Sequence, residues 1–151
     1  QASASNKIRK YDVEDTAVVN FVFKSGALGT LSVSDTIVSP WSYELTAGEN
    51  PAYPITNQSA YYIGGTKSSI QFPNYKEWYN KKERSWWKPI LHKDESTRES
   101  RYTLTNQINH LCDVVNKKAK PKITGEDGLV SLKIFAAIIK SAKTGKKVKI
   151  K

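Results

Sequence analysis

Apolar residues alternate at period two through the first half of the chain and recur at three- and four-residue spacing in its last third, so strand patterning comes first and helix patterning follows. Elements segregated in that order fold as α+β, with helices laid against a sheet of sequential strands. The strongest strand pattern is 16–24, where β-branched and aromatic types dominate and Ala17, Val19, Phe21 and Phe23 share one face. Ser25-Gly26 interrupts the run. Ala27 to Asp35 then resumes it, with Ala27, Gly29, Leu31 and Val33 on one side and Leu28, Thr30, Ser32 and Ser34 on the other. The two runs are predicted to pair as a hairpin.

Shorter strands are predicted at Ser42 to Ala47, Ser59 to Ile63 and Ser68 to Phe72, the last two joined by a tight turn at Gly64-Gly65-Thr66-Lys67. Short loops between sequential strands imply antiparallel pairing. From Tyr102 the period changes. Leu104, Ile108, Leu111 and Val115 form one helical stripe, ended before Pro121, and Leu129, Leu132, Phe135, Ile139 and Ala142 form a second. Thr124-Gly125-Glu126-Asp127 reads as an N-cap with an acidic residue at N3, Gly145 as the stop, and Lys147 to Ile150 as a closing strand. The expected architecture is α+β, an open, mainly antiparallel sheet with two main helices on one face. Residues 1–12 are a disordered or extended lead-in and 13–151 the domain.

Two helices cover only one side of such a sheet. Val18, Val22 and Leu28 point to the other, which makes that half-apolar face either ordinary surface or a subunit or domain interface.

Of 151 residues, 24 are Lys or Arg and 14 Asp or Glu, a net charge of +10. Eleven lysines fall between Lys117 and Lys151. That region has no arginine and almost no aromatics, the types that fork onto phosphates and stack on bases, so the lysines read as solvated helix faces and neither a nucleic-acid nor a membrane partner is expected. The apolar runs fall short of the ~20 residues a membrane span needs. A single cysteine, Cys112, favours a reducing compartment, and the expected location is the cytoplasm. The chain lacks methionine and opens Gln1-Ala2-Ser3, which suggests a piece of something longer.

Motifs that carry chemistry are scarce. Gly26-Ala27-Leu28-Gly29 lies between strands, not between strand and helix, and Gly64-Gly65-Thr66-Lys67-Ser68 lacks the spacing of a phosphate loop. His110 and Cys112, two apart on a helix, point to different sides, and His92 is far from both in sequence. The carboxylate pairs Glu14-Asp15 and Glu126-Asp127 suit a strand entry and a helix start. Aromatics are concentrated instead: 11 of the 16 lie between Trp41 and Trp87, in a stretch broken by Pro40, Pro51, Pro54 and Pro73. Trp41, Tyr43, Tyr53, Trp78, Trp86 and Trp87 are either loop packing or platforms for a sugar or a base.

The phrases Val13-Glu14-Asp15-Thr16-Ala17, Phe23-Lys24-Ser25-Gly26-Ala27-Leu28-Gly29-Thr30 and Gly48-Glu49-Asn50-Pro51, then Tyr62-Ile63-Gly64-Gly65-Thr66 and Thr124-Gly125-Glu126-Asp127-Gly128-Leu129, come in an order that resembles the C-terminal domain of the glucose-fructose oxidoreductase / inositol dehydrogenase family. The resemblance runs from about Val13 to Ile150. It implies an α+β domain whose open sheet makes subunit contacts, in agreement with the spare face that carries Val18, Val22 and Leu28 and with an expected homo-oligomer, and whose edge backs a sugar-like substrate lying against NAD or NADP in an upstream Rossmann domain of the parent. The family's Gly-rich loop, its Glu-Lys-Pro segment and its Asp-x-x-x-His pair have no counterpart here, since Lys88-Pro89 and Lys120-Pro121 follow Trp87 and Ala119. The expectation is therefore a piece that binds no cofactor and no metal and holds no catalytic residue. Trp41 and Tyr43, backed by Tyr53, are its expected substrate wall. A basic nucleic-acid-binding module and a stand-alone carbohydrate-binding module are the alternatives.

Overall fold

A computed structural model of the protein describes residues 1–94 and 103–150. Tyr102, where helical spacing begins, and Lys151, the last of the lysine run, lie outside the described residues. Two compact units emerge, one from residues 1–38 with 120–151 and one from 39–119.

The first unit holds β1 (Ala2–Ser5), β2 (Thr16–Val22) and β3 (Leu28–Ser34), antiparallel in that order. The β2–β3 hairpin forms as its alternation predicts, with Val22 opposite Leu28 and Phe21 opposite Gly29, and its turn uses Gly26 at φ 87°. Ala2–Ser5 belongs to the expected lead-in, yet it pairs as an edge strand, Ala2 opposite Val19. Asp15, itself buried, shapes the connection between β1 and β2: its Oδ2 accepts the Ile8 and Arg9 amides at 3.1 and 3.0 Å. Arg9 in turn reaches Asp35 at 3.1 Å.

The second unit begins with α1 (Tyr43–Ala47), then runs β4 (Tyr61–Gly64), β5 (Ser68–Phe72), β6 (Lys76–Tyr79) and β7 (Leu91–Asp94), again antiparallel in sequence order. The predicted strand at Ser42 to Ala47 is a helical turn instead. The Ser42 hydroxyl caps it by accepting the Leu45 amide at 3.2 Å, and Gly48 ends it at φ 66°. The strands are thus shared between two sheets and not gathered in one, while the α+β class and the antiparallel pairing hold.

The helices α2 (Thr103–Val115) and α3 (Gly125–Thr144) occupy the predicted stretches. In α3 the capping box is complete: Asp127 returns its carboxylate to the Thr124 amide at 2.9 Å, and Gly145 closes the helix at φ 67°. Its inward stripe differs from the expected one. Ser141 is buried and Ile134, Ala137 and Ile138 are half-buried along with the expected Ile139 and Ala142, whereas Leu129, Leu132 and Phe135 of the expected stripe stay exposed. The expected closing strand at Lys147 to Ile150 does not form; Val148 and Ile150 line an open groove together with Ala136 and Ala137 of α3. Nor is α2 packed as expected, for none of its residues is buried. Leu104, Ile108, Leu111 and Val115 all face solvent.

Candidate functional site

In the first unit α3 packs on β1, and the residues it covers are small. Ala2 and Val19, opposite one another across β1 and β2, are the buried apolar residues there, with Val19 3% exposed. Alternation sends Val18 and Val22 to the reverse side, where Leu28 joins Val22 as its cross-strand partner. All three are exposed, Leu28 at 78%. Around them the same face carries hydroxyls: Ser32 opposite Val18, Thr30 opposite Asn20, and the linked trio Thr16, Ser34 and Thr36 with oxygens 2.9 and 3.0 Å apart. The face is therefore mixed, and α3, the helix of this unit, packs on the other side. The side chains singled out in the sequence for an interface do share one surface.

In the second unit, Tyr43 anchors an aromatic cluster. Its ring stacks on Phe72 at 5.8 Å and lies 6.2 Å from Tyr61, and Phe72 meets Tyr75 edge-on at 5.0 Å. Tyr61 and Phe72 are cross-strand partners at the start of β4 and the end of β5, so the hairpin register brings them together beneath α1. The Tyr43 hydroxyl donates to Glu49 Oε1 at 2.6 Å, and the Glu49 carboxylate, with burial adding to it, pushes the phenol up to about 12. A tyrosine has one O–H. Glu49 holds it, so Tyr43 faces any ligand with a ring and oxygen lone pairs.

Trp41 and Tyr53 flank this cluster in sequence and are both about half exposed. No ring contact ties either of them to Tyr43 among the described residues. Trp78 belongs elsewhere. It sits in β6 opposite His92 of β7, ring centroids 4.9 Å apart, with the Lys76 ammonium 4.9 Å from its ring. Sequence reading missed Tyr61, Phe72, Tyr75 and Glu49 as members of one cluster, because the contacts depend on strand register and not on spacing.

A dinucleotide needs a glycine turn that opens onto a helix N-terminus. Here the Gly26 turn joins β2 to β3 and the Gly64-Gly65 turn joins β4 to β5. The N-terminus of α3 is filled by its own Asp127 carboxylate. These residues do not fit a pyrophosphate. Among the described residues no set of three metal-ligating side chains converges, and no helix is long and apolar enough to cross a membrane.

The family model described as "Oxidoreductase family, C-terminal alpha/beta domain" matches residues 1–150. No curated protein and no solved structure matches the chain.

Proposed function

The chain belongs to the C-terminal domain of the Gfo/Idh/MocA oxidoreductase family, and from that premise we propose that it is the substrate-side and oligomerisation domain of an NAD(P)-dependent enzyme acting on a sugar, polyol or related hydroxy compound. The carrying observation is the first unit's sheet. It buries two small apolar side chains, Ala2 and Val19, and leaves Val18, Val22 and Leu28 together on the face opposite α3. A face of that kind is stabilised by a second surface laid on it, and closed symmetric pairs are the commonest way to supply one. In the same reading Trp41, Tyr43 and Tyr53 back the substrate, the nicotinamide supplies hydride chemistry from the nucleotide-binding domain, and this chain contributes walls and contacts without an acid or base of its own. A cytoplasmic setting accords with the single exposed Cys112.

Sedimentation velocity on the chain tests this. Self-association is expected in the micromolar range, with Val22→Lys and Leu28→Lys returning monomers of unchanged circular dichroism. A fluorescence titration with NADH is expected to show no binding. A chain that stays monomeric at high concentration, or that binds NADH at micromolar levels alone, contradicts the proposal.

A further inference from the structure

In the three-stranded sheet β1 and β3 are the edges, and they are finished differently. β1 is four residues long, and the outward N–H of Ala2 is taken by Ser141 Oγ at 2.9 Å. β3 is seven residues long, carries no charge and no proline, and pairs with β2 in unbroken register. Natural sheets blunt their edges with charge, proline, a bulge or shortness, because an open row of N–H and C=O groups invites another strand. The open row of β3 follows from the ladder. Phe23 N–H bonds to the Ala27 carbonyl at one end of the hairpin and Asp35 N–H to the Asp15 carbonyl at the other. Hydrogen-bonded pairs alternate along an antiparallel ladder, so Gly29, Leu31 and Val33 turn their backbone groups to β2, and Leu28, Thr30, Ser32 and Ser34 turn theirs outward.

We propose that this edge pairs antiparallel with the same edge of a second copy, about a two-fold axis at Leu31. That register uses every outward group. Leu28 bonds to the partner's Ser34 and Thr30 to the partner's Ser32, each reciprocally, about eight bonds in all. Leu31 meets the partner's Leu31 at a non-hydrogen-bonded position, where side chains come closest, and Val33 meets the partner's Gly29, which opposes it with no side chain. Leu31 and Val33 are 39% and 56% exposed, so the contact has apolar surface to bury. Length selects the occupant. β2 is paired on both sides, β1 is short and capped, and the edges of the other sheet, β4 and β7, are four residues each, so β3 itself is the strand that satisfies the whole row. An uncharged contact also suits copies that repel through a net charge of +10. The inference rests on the self-association proposed above and goes beyond it. One two-stranded contact in water is marginal alone, so edge pairing joins copies already paired through their faces.

Sedimentation velocity on the full chain at rising concentration is expected to show face-paired dimers and then a larger species. Ser32→Pro removes an outward N–H and no bond to β2, so it is expected to keep the circular dichroism and stop at the dimer, the second step weakened about ten-fold or more. Leu31→Cys with Cys112→Ser carries one thiol and is expected to form a disulfide-linked pair on mild oxidation, because the facing Cα atoms lie about 4.5 Å apart. Thr30→Cys with Cys112→Ser, which faces the partner's Ser32, is expected to link several-fold more slowly. A parent that stays monomeric removes the premise and this proposal with it. A parent that dimerises and goes no further overturns the edge contact alone. So do a Ser32→Pro chain that assembles like the parent, equal linking at Leu31 and Thr30, or slow hydrogen exchange at the Leu28, Thr30 and Ser32 amides in the dimer, which would put another segment of the same chain on that edge.

Discussion

The hydroxyl of Ser141 accepts the backbone N–H of Ala2 at 2.9 Å and donates to the Lys146 carbonyl at 2.6 Å, so one buried side chain ties the edge strand of the first sheet to the end of its helix. Ala2 N–H is itself buried, on the strand side that pairs with no further strand. Ser141→Ala removes the acceptor and leaves that amide unpaired, which costs about 1–3 kcal/mol. The expected result is a lower urea midpoint with the slope unchanged. Ser141→Thr keeps the hydroxyl and is expected to recover part of the loss.

Val19 and Val18 are neighbours on β2 with opposite duties. Val19 is 3% exposed and sits against Ala2, while Val18 lies on the face opposite α3. Val19→Ala deletes two buried carbon groups and is expected to cost about 1.5–2 kcal/mol of folding stability. Val18→Ala is expected to change folding by less than about 0.5 kcal/mol, as exposed positions do. If the sheet face is a contact between copies, Val18→Ala weakens association in sedimentation while Val19→Ala changes the melting temperature.

How far the sequence carried follows from where each contact partner lies. In α3 the Thr124 cap, the Asp127 return bond and the Gly145 stop are all local, and all were legible. So was the β2–β3 hairpin, whose partners are joined by one short turn. Ser42 to Ala47 failed because Tyr43, Leu45 and Ala47 imitate strand alternation, although Ser42 before the run and Gly48 after it are the cap pair of a short helix. Lys147 to Ile150 alternates just as well, but a strand needs an edge to join, and Val148 and Ile150 rest beside α3 instead. β6 and β7 are short and charged. They are held by Glu77 and Lys93, 3.0 Å apart, and by Lys76 and Asp94, 3.9 Å apart, pairings between residues far separated in the chain. Of the expected substrate wall, Trp41, Tyr43 and Tyr53 were legible as aromatics of an irregular stretch; the stacking of Tyr43 on Phe72 was not.

Asp15 gives the first unit an acid-sensitive joint. The Arg9 amide, foremost, and the Ile8 amide hold its carboxyl below the ordinary value of 3.8, against the opposing pull of burial. A carboxyl depressed by folding contributes stability that is fully present above its unfolded value and is lost as the pH falls through the folded one. Thermal melts between pH 6 and pH 2 are therefore expected to fall below about pH 4. Asp15→Asn is expected to melt lower than the parent at pH 6, the gap narrowing as the parent's carboxyl protonates. Parallel curves for the two proteins contradict this account.

Tyr43 runs in the opposite direction. Its phenol is raised to about 12 by the Glu49 carboxylate that accepts its proton bond. A phenol raised by folding contributes stability that is complete below its unfolded value near 10 and is lost as the pH rises through about 12. Ultraviolet titration of the tyrosines at 295 nm is expected to show a late step, at about 12, that belongs to Tyr43. Tyr43→Phe removes that late step and keeps the stack on Phe72, because the ring is retained. Glu49→Gln leaves an acceptor without the charge, so the late step is expected to move back toward 10. If Tyr43→Phe preserves the late step, another tyrosine carries it. The Tyr43 hydroxyl would then be free to donate to a sugar, and the substrate wall would gain a polar contact that the Glu49 bond withholds.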